Sequence, residues 1–236
     1  MTNVAWVTGG SKGIGLACAR KLAENDWHVA ISGRHERDLL TASNALKQAG
    51  FNVLPCVCDV TDPDSVQTAS RIITDNFGES ISLLINNAGL SPFSTFTETT
   101  VEEFDNVLNT NLTGSFLCAK AVLPEMYQLG EGIIVQILSI SSIKAFKGGA
   151  AYNASKFAAL GFTNALREEA RKQGVKVIAV LPGATETDIW SAEDRKTFHE
   201  RMMQPEDIAE AIYHAITLPT RALIEEIIIR PIQGDL

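Results

Sequence analysis

Short apolar runs alternate with longer helical patterns from one end of the chain to the other. Seven runs predict strands, at residues 4–7, 28–32, 52–56, 82–86, 133–138, 175–181 and 224–229. Most of them are continuously apolar, which is typical of parallel strands covered on both faces. Between them, apolar residues at helical spacing predict helices at residues 14–25, 36–49, 64–77, 101–129, 151–172 and 206–218.

Proline and glycine support these limits. Pro63 and Pro205 stand at first helical positions and are followed by acidic residues, which suit a helix N-terminus. Gly50, Gly78 and Gly174 fall just past predicted helix ends, where a left-handed residue is often required. Repeated strand–helix–strand units imply parallel strands with right-handed crossovers. We therefore predict an α/β fold: one domain over residues 1–236, with a seven-stranded parallel sheet wound by helices on both faces.

Composition narrows the possible partners. Of the 236 residues, 45% are hydrophobic and 20% are charged, which is an ordinary globular balance. A net charge of -8 argues against general nucleic-acid binding and against attraction to anionic membranes. The chain has no apolar run near the roughly 20 residues of a membrane span, and its first residues do not resemble a signal peptide. We expect a cytoplasmic protein without nucleic-acid or membrane partners.

Four cysteines stand at positions 18, 56, 58 and 118, and no two of them form a Cys-x-x-Cys pair. Such residues are most simply interpreted as small buried side chains in a reducing compartment, rather than as disulfides or zinc ligands. We predict no metal site.

The first predicted strand leads directly into a glycine-rich turn and then a helix. Glycines let the backbone approach a pyrophosphate, and the helix start presents unpaired N–H groups to it. A strand-to-helix junction can use glycine for geometry alone, but the place of this turn at the start of the chain favours a dinucleotide site. The expected cofactor contacts are Gly9, Ser11, Lys12, Gly13, Ile14 and Gly15.

The spacing Gly-x-x-x-Gly-x-Gly resembles the cofactor motif of short-chain dehydrogenases/reductases, and further motifs of that family follow in order. They are Asp59, Asn86-Asn87-Ala88-Gly89, Asn111, Ser139, Tyr152-x-x-x-Lys156, and Pro182-Gly183 with Thr187. The resemblance covers essentially the whole chain. It implies a Rossmann fold and an oxidoreductase that moves a hydride between a nicotinamide and a small-molecule carbonyl or secondary alcohol.

The end of the second strand bears on the choice of nicotinamide. A carboxylate there would bind the 2′-hydroxyl of NAD, whereas a basic group would pair with the 2′-phosphate of NADP. Gly33 occupies the position where NAD-preferring relatives often carry Asp, and Arg34 follows it. Arg34 can form a fork to phosphate, with Lys12 as a second cation. Either could instead be a solvated surface charge, but together they favour NADP(H).

The resemblance assigns further cofactor contacts. It places Asp59 at the adenine amino group. It places three residues in the crevice beyond the fourth strand, namely Asn87, Ala88 and Gly89, and three at the nicotinamide carboxamide, namely Pro182, Gly183 and Thr187. Each of these segments could be a plain loop. Their position after predicted strands favours ligand contact, because doubly wound folds bind ligands beyond the carboxyl ends of their strands.

Tyr152 and Lys156 lie one helical turn apart on one face. Free tyrosine has a pKa of about 10, but a nearby ammonium, together with the positive ring of an oxidised nicotinamide, favours the phenolate and lowers that pKa. The pair could then exchange the proton of the substrate oxygen while the hydride moves. A bare Tyr-x-x-x-Lys is often only a surface pair, but the preceding Gly148-Gly149 and an upstream serine favour catalysis.

We assign Ser139 to the substrate oxygen, because it lies thirteen residues before Tyr152, the family distance; Ser141 is the reserve. By resemblance, Asn111 holds a water that links Lys156 to solvent. An asparagine in a helix could equally satisfy a backbone carbonyl.

Residues 184–204 are expected to form a mobile lid over the site. Large apolar side chains there and after the fourth strand could line a substrate mouth or simply pack the lid onto the body. They are Phe93, Phe96, Ile189, Trp190, Phe198, Met202 and Met203.

Other functions remain open at this point. A 3-oxoacyl-carrier-protein reductase is the alternative substrate class, although the chain end lacks the Gly-Gly segment usual in those relatives. A sugar-nucleotide epimerase or dehydratase and a non-catalytic NADP-sensing module share parts of the pattern. The resemblance also implies a homodimer or homotetramer, paired through the predicted helices at 101–129 and 151–172.

Overall fold

The computed structural model describes residues 3–92 and 94–236. Seven strands form a single parallel sheet in the spatial order β3-β2-β1-β4-β5-β6-β7. The strands are β1 (Val4–Thr8), β2 (His28–Gly33), β3 (Val53–Val57), β4 (Ile81–Asn86), β5 (Gly132–Ile137), β6 (Val175–Pro182) and β7 (Glu226–Ile229). The predicted seven-stranded parallel sheet is confirmed.

Helices cover both faces of this sheet. They are α1 (Gly13–Ala23), α2 (Glu36–Gln48), α3 (Pro63–Phe77), α4 (Val101–Leu108), α5 (Gly114–Leu129), α6 (Ala150–Ala170), α7 (Ala192–Phe198) and α8 (Pro205–Ile216). The chain winds outward from β1 to β3 and then returns to place β4 on the other side of β1. This reversal opens a crevice at the carboxyl ends of β1 and β4, where doubly wound folds bind ligands.

Two apolar cores lie on the two faces of the sheet, since successive residues of a strand point to opposite faces. Val7 contributes to the core under α1, α2 and α8. Trp6 contributes to the core under α3, α5 and α6. The indole of Trp6 is fully buried, and its Nε1 donates to Ser32 Oγ at 2.8 Å. The continuously apolar strands are thus explained by burial on both sides.

The four cysteines are free and buried, as their sequence setting suggested. Burial raises the pKa of both Cys18 and Cys58 to about 12, because a thiolate would lose its hydration there. The described ranges contain no group of His, Cys, Asp and Glu residues that could hold a metal ion. Over the same ranges, no helix has the length and apolar character needed to cross a bilayer.

The predicted helix over residues 101–129 is not continuous. A π-helical turn, Asn109–Thr113, separates α4 from α5 and carries Asn111. This turn spans only five residues, which is shorter than the window of about 11–18 residues over which an apolar period is read. Just beyond it, Gly114 lies against Val60, and a Cβ on Gly114 would be 2.7 Å from Val60 Cγ2.

The expected lid, residues 184–204, includes helical structure that the apolar spacing did not predict. It contains α7 and a 3₁₀ turn, His199–Arg201. The apolar spacing missed α7 because this short helix buries no side chain. Its start is nevertheless encoded, since Ser191 Oγ accepts from Asp194 N at 3.0 Å in a capping arrangement.

The predicted helix starts and stops are confirmed at their proline and glycine residues. Pro63 and Pro205 are the first residues of α3 and α8. Gly78 ends α3 in the left-handed conformation, with φ +66°.

The α3 N-cap offers a test of this local encoding. Asp62 Oδ1 accepts from Asp64 N at 3.0 Å, so Asp62→Ala should lower the free energy of unfolding by about 1 kcal/mol. For a chain of this size that corresponds to a fall in Tm of about 2–4 °C in a thermal melt. Asp75→Ala removes the same charge from an exposed position in the last turn of α3 and should not lower Tm, because alanine favours the helix and the lost charge opposed its dipole. Equal melting of Asp62→Ala and wild type would contradict the capping role.

Candidate active site

The glycine-rich turn between β1 and α1 is packed directly against the loop that follows β4. Gly9 has φ +61°, and a Cβ there would lie 2.9 Å from Ala88 Cα. A Cβ on Gly15 would lie 2.5 Å from Asn87 Nδ2. Any side chain at these two positions would therefore push the turn away from the crevice.

Thr8 and Asn87 connect these two segments. Thr8 Oγ1 accepts from the backbone N of Asn87 and of Ala88, both at 3.0 Å. Asn87 Nδ2 in turn donates to the carbonyls of Thr8 and Gly9, both at 3.0 Å. The sequence argument assigned Asn87 but not Thr8. The signal was present, because Thr8 is the first residue of the glycine-rich motif.

A cleft of about 620 Å³ extends from this turn over the ends of β2 and β3. Lys12 is the N-cap residue of α1 and makes no side-chain cap, which suits a helix N-terminus that receives an anion. Most predicted cofactor residues line this cleft. They are Gly9, Ser11, Lys12, Gly13, Ile14, Arg34, Asp59, Asn87, Ala88, Gly89 and Thr187.

Arg34 and Asp59 face each other across the cleft's far part. Burial raises the pKa of Asp59, but hydrogen bonds from Thr61 and the charge of Arg34 outweigh it and hold that pKa below its ordinary value. Thr61 donates to Asp59 Oδ1 through its backbone N at 2.9 Å and its hydroxyl at 2.8 Å. Asp59 is thus ionised near Arg34.

Lys12 already has a protein partner. Its Nζ lies 3.2 Å from Asp188 Oδ2 in the lid, and Arg195 Nη1 lies 2.9 Å from Asp188 Oδ1. The expected second cation for a 2′-phosphate is therefore engaged with the lid in this structure. Arg34 lines the cleft without such a tie to the lid.

A second cavity, of about 530 Å³, adjoins the first. The two share wall residues, among them Asn87, Gly89 and Thr187. Its polar wall carries the predicted catalytic group and the nicotinamide contacts. They are Ser139, Tyr152, Lys156, Pro182, Gly183 and Thr187. Gly15 and Asn111 line neither cavity; both lie behind the walls.

The apolar side chains predicted for a substrate mouth divide into two groups. Ile189, Trp190 and Phe198 line the second cavity. Met202 and Met203 are buried and pack the lid onto the body, because they follow the 3₁₀ turn where the chain returns to the core. Phe96 is exposed outside both cavities, and Phe93 lies outside the described residues.

Lys156 is buried within α6 beside Tyr152. Its Nζ donates to the carbonyl of Ile137 at 2.9 Å and lies 5.6 Å from the centroid of the Tyr152 ring. Burial lowers the pKa of Lys156 to about 8, because the ammonium loses hydration. Lys156 therefore remains mostly protonated at neutral pH.

The pKa of Tyr152 does not follow the expected direction. Burial raises it above its ordinary value, and a hydrogen bond with Ser139 acts the other way without cancelling the rise. The expected lowering, which included the charge of an oxidised nicotinamide, therefore does not arise from the protein's own groups. Loss of solvent around the phenol dominates, and the nearby Lys156 ammonium donates to Ile137 O.

Ser139 lies just after the end of β5 and interacts with Tyr152. Its Oγ accepts from Ser141 N at 3.0 Å and caps the 3₁₀ turn Ile140–Ser142. Ser139 also makes the hydrogen bond with Tyr152 that moderates the tyrosine's pKa. Ser141 lines the same cavity, but no such bond joins it to Tyr152 among the described residues. The geometry therefore favours Ser139.

Asn111 is occupied by structural contacts. Its Oδ1 accepts from Leu90 N at 2.7 Å, and its Nδ2 donates to Leu90 O and to Ser155 Oγ, both at 2.9 Å. Ser155 Oγ donates onward to Tyr152 O at 2.8 Å. The Asn111 side chain thus ties the loop after β4 to the turn of α6 that carries Tyr152. Ser155 was not foreseen, although it directly precedes Lys156.

Known proteins share this arrangement. The family model for short chain dehydrogenase matches residues 3–197. An uncharacterized oxidoreductase of Staphylococcus aureus is 36% identical, over 97% of both chains. The sepiapterin reductase of Chlorobaculum tepidum is 34% identical, over 100% of this chain and 99% of its own.

Among solved structures, an actinorhodin polyketide ketoreductase with NADPH superimposes with a TM-score of 0.91. It is 30% identical, over 100% of this chain and 98% of its own. This chain belongs to the short-chain dehydrogenase family of oxidoreductases.

Proposed function

We propose that the protein is an NADP(H)-dependent oxidoreductase that interconverts a carbonyl and a secondary alcohol, with reduction as the cellular direction. The observation that carries this proposal is the cluster of Ser139, Tyr152 and Lys156 in a cavity continuous with the phosphate-binding cleft. That continuity brings an acid–base group next to the end of the cleft at which a nicotinamide would lie.

The chain's own residues would handle the proton. Tyr152 gives its hydroxyl proton to the substrate oxygen, and Ser139 donates a hydrogen bond to that oxygen. The raised pKa of Tyr152 keeps the phenol protonated and ready to act as the acid in reduction. The charge of Lys156 then stabilises the phenolate that is left.

The cofactor supplies the hydride in reduction and accepts it in oxidation. The residues present fit a dinucleotide, since the uncapped start of α1 and the close packing at Gly9 suit a pyrophosphate. Arg34 fits a 2′-phosphate, and the preceding position holds Gly33 rather than an acidic residue that would repel it. The ketoreductase relative was solved with NADPH, and an alcohol dehydrogenase from Thermococcus sibiricus with 5-hydroxy-NADP.

A carrier-bound 3-oxoacyl substrate is the less favoured alternative. Two of the basic lid residues are engaged within the protein, Arg195 with Asp188 and Arg201 with the carbonyl of Asp235. Arg195 is thus partly neutralised and Arg201 is held in place, so fewer basic side chains of the lid are free to meet an acidic carrier. A cofactor-sensing role without catalysis is disfavoured, because the acid–base residues are together in one cavity.

The setting of the protein is also a proposal. Four free, buried cysteines are consistent with the cytoplasm. Phe116 on α5 and Phe157 on α6 are about half exposed, and their burial between copies of the chain would favour a homodimer or homotetramer.

Tyr152→Phe tests the acid. Removing the hydroxyl should lower kcat for ketone reduction by about 10²–10⁴-fold, while the Kd for NADPH stays within about twofold of wild type. Initial rates of NADPH oxidation and a fluorescence titration measure the two quantities. Tyr127→Phe, on α5 away from both cavities, is the control. Full activity of Tyr152→Phe would remove the proposed mechanism.

Ser139→Ala and Ser141→Ala separate the two serines. Loss of the donor to the substrate oxygen in Ser139→Ala should lower kcat by about 10²-fold or more. Ser141→Ala should have a much smaller effect, because the backbone N of Ser141, not its hydroxyl, bonds Ser139. The reverse order of the two kcat values would transfer the role to Ser141.

Arg34→Ala tests the 2′-phosphate contact. Loss of a charged hydrogen bond of about 1.5–3 kcal/mol should raise KM for NADPH by about 10–100-fold. KM for NADH, which has no 2′-phosphate, should change little. Arg37→Ala removes an equal charge from an exposed position on α2 and serves as the control. An unchanged ratio of the two KM values in Arg34→Ala would count against NADP preference.

A further inference from the structure

The segment after β7, residues 230–235, leads to the second cavity, which Asp235 and Leu236 line, and no role in the proposed chemistry accounts for it. Asp235 lines the same cavity as Ser139 and Tyr152. The chain reaches it from the end of β7, which places a segment far along the sequence next to the reacting groups.

The start of this segment is fixed against β6. Gly183 N donates to Ile229 O at 2.8 Å, and a Cβ on Gly183 would lie 3.0 Å from Pro231 Cδ. Gly234, with φ +86°, then closes a turn through its N–H to Pro231 O at 2.8 Å. The segment therefore follows one defined path from the sheet to the cavity.

Asp235 fixes the end of the segment through three different parts of the protein. Its Oδ2 accepts from Lys144 Nζ at 2.7 Å, in the loop before α6. Its carbonyl accepts from Arg201 Nη2 at 2.9 Å, in the lid. Its Oδ1 lies 3.8 Å from Arg230 Nη1, at the end of β7.

The carboxylate of Asp235 is more sheltered than that of an ordinary surface ion pair, although its partner Lys144 is about half exposed. The Asp235 side chain is only 16% exposed, so solvent screens its charge less than at the surface. The hydrogen bond from Lys144 holds the pKa of Asp235 below its ordinary value, and burial opposes this only in part. Asp235 is therefore ionised at neutral pH.

The same contact supports an apolar side of the cavity. Lys144 Nζ lies 5.1 Å from the centroid of the Phe146 ring. Phe146 lines the cavity and is held by Asn153, whose Nδ2 donates to its carbonyl at 2.8 Å. Trp190 and Phe198 of the lid line the cavity as well. The cavity that Asp235 lines therefore has an apolar side on which three aromatic side chains lie, Phe146, Trp190 and Phe198.

We propose that Asp235 is a specificity-determining positioning residue, which pins residues 230–235 so that the end of this segment forms one wall of the second cavity, and so favours carbonyl substrates that carry a bulky apolar or aromatic substituent. This inference rests on the proposed function and adds the substrate class to it. Asp235 acts through the wall and does not touch the reacting carbonyl. Release of the wall should weaken contacts to the substituent and leave the transfer step itself unchanged.

Two diketones that differ in one substituent test the selectivity. The probes are 1-phenyl-1,2-propanedione and 2,3-butanedione, each reduced with NADPH by wild type, Asp235→Ala and Lys144→Ala. Both variants should lower the ratio of kcat/KM for the phenyl over the methyl compound by about tenfold, which is the order of one methylene in an apolar pocket. The change should come from KM of the phenyl compound, with kcat for 2,3-butanedione unchanged.

Glu225→Ala is the matched control. Glu225 pairs with Arg171 at the surface, at 2.9 Å, and lies outside both cavities, so its loss removes a carboxylate of the same kind without touching the wall. The ratio should stay at the wild-type value. An unchanged ratio in Asp235→Ala, or an equal loss of activity with both diketones, would overturn the proposal.

Hydrogen exchange gives a readout that does not depend on activity. Peptides covering residues 230–235 and 143–149 should exchange faster in Asp235→Ala and Lys144→Ala than in wild type and Glu225→Ala. Unchanged exchange would show that the contact between Asp235 and Lys144 does not hold this segment, and would overturn the proposal. Wild type that reduces other ketones but favours 2,3-butanedione would overturn the substrate class alone. If the wild-type protein fails to oxidise NADPH with any carbonyl compound supplied, the proposed function is overturned, and the substrate class with it.

Discussion

The hydroxyl of Thr8 fixes the geometry on which the site depends. It accepts two backbone N–H groups from the loop after β4, and Asn87 returns two bonds to the turn after β1. These neighbouring strands are the ones between which the winding of the sheet reverses. Parallel strands present their carboxyl ends at one edge, and these four bonds hold two of those ends at a fixed separation. The width of the crevice is thus set by one threonine and one asparagine.

Burial governs the chemistry at the other end of the crevice. The same loss of solvent raises the pKa of Tyr152 above its ordinary value and lowers that of Lys156 to about 8, so two values that are nearly equal in water move apart. Both shifts favour the uncharged form of the group, and for Tyr152 that is the phenol. Asn111 and Ser155 contribute by holding the backbone around Tyr152 rather than by touching the substrate.

Much of this architecture follows from the sequence because its signals are local. Apolar runs covered on both faces identified the strands, and proline and glycine marked the ends of α3 and α8. Motif spacing identified Tyr152, Lys156 and Ser139, which the fold brings into one cavity. These features depend on residues close in sequence or on fixed family distances.

What the sequence could not show depends on contacts between distant segments. The π-helical turn at Asn109–Thr113 is too short for an apolar period to reveal. The direction of the Tyr152 pKa shift depends on how completely the fold excludes water, which no pattern measures. For Met202 and Met203 the sequence left two places open, the substrate mouth and the contact of the lid with the body, and only their burial in the fold decides for the second. The place of Asp235 in the cavity wall needed the path of the chain beyond β7.

The ion pair between Lys12 and Asp188 has a consequence for the order of events at the crevice. One carboxylate bridges the phosphate turn and the lid helix α7. A phosphate that enters beside Lys12 competes with Asp188 for the same ammonium, so each anion weakens the hold of the other. Because such coupling is reciprocal, a stronger ion pair between Asp188 and Lys12 would also weaken the binding of the dinucleotide phosphate. Binding of a phosphate beside Lys12 and release of Asp188 from Lys12 would therefore be one exchange of counter-ions.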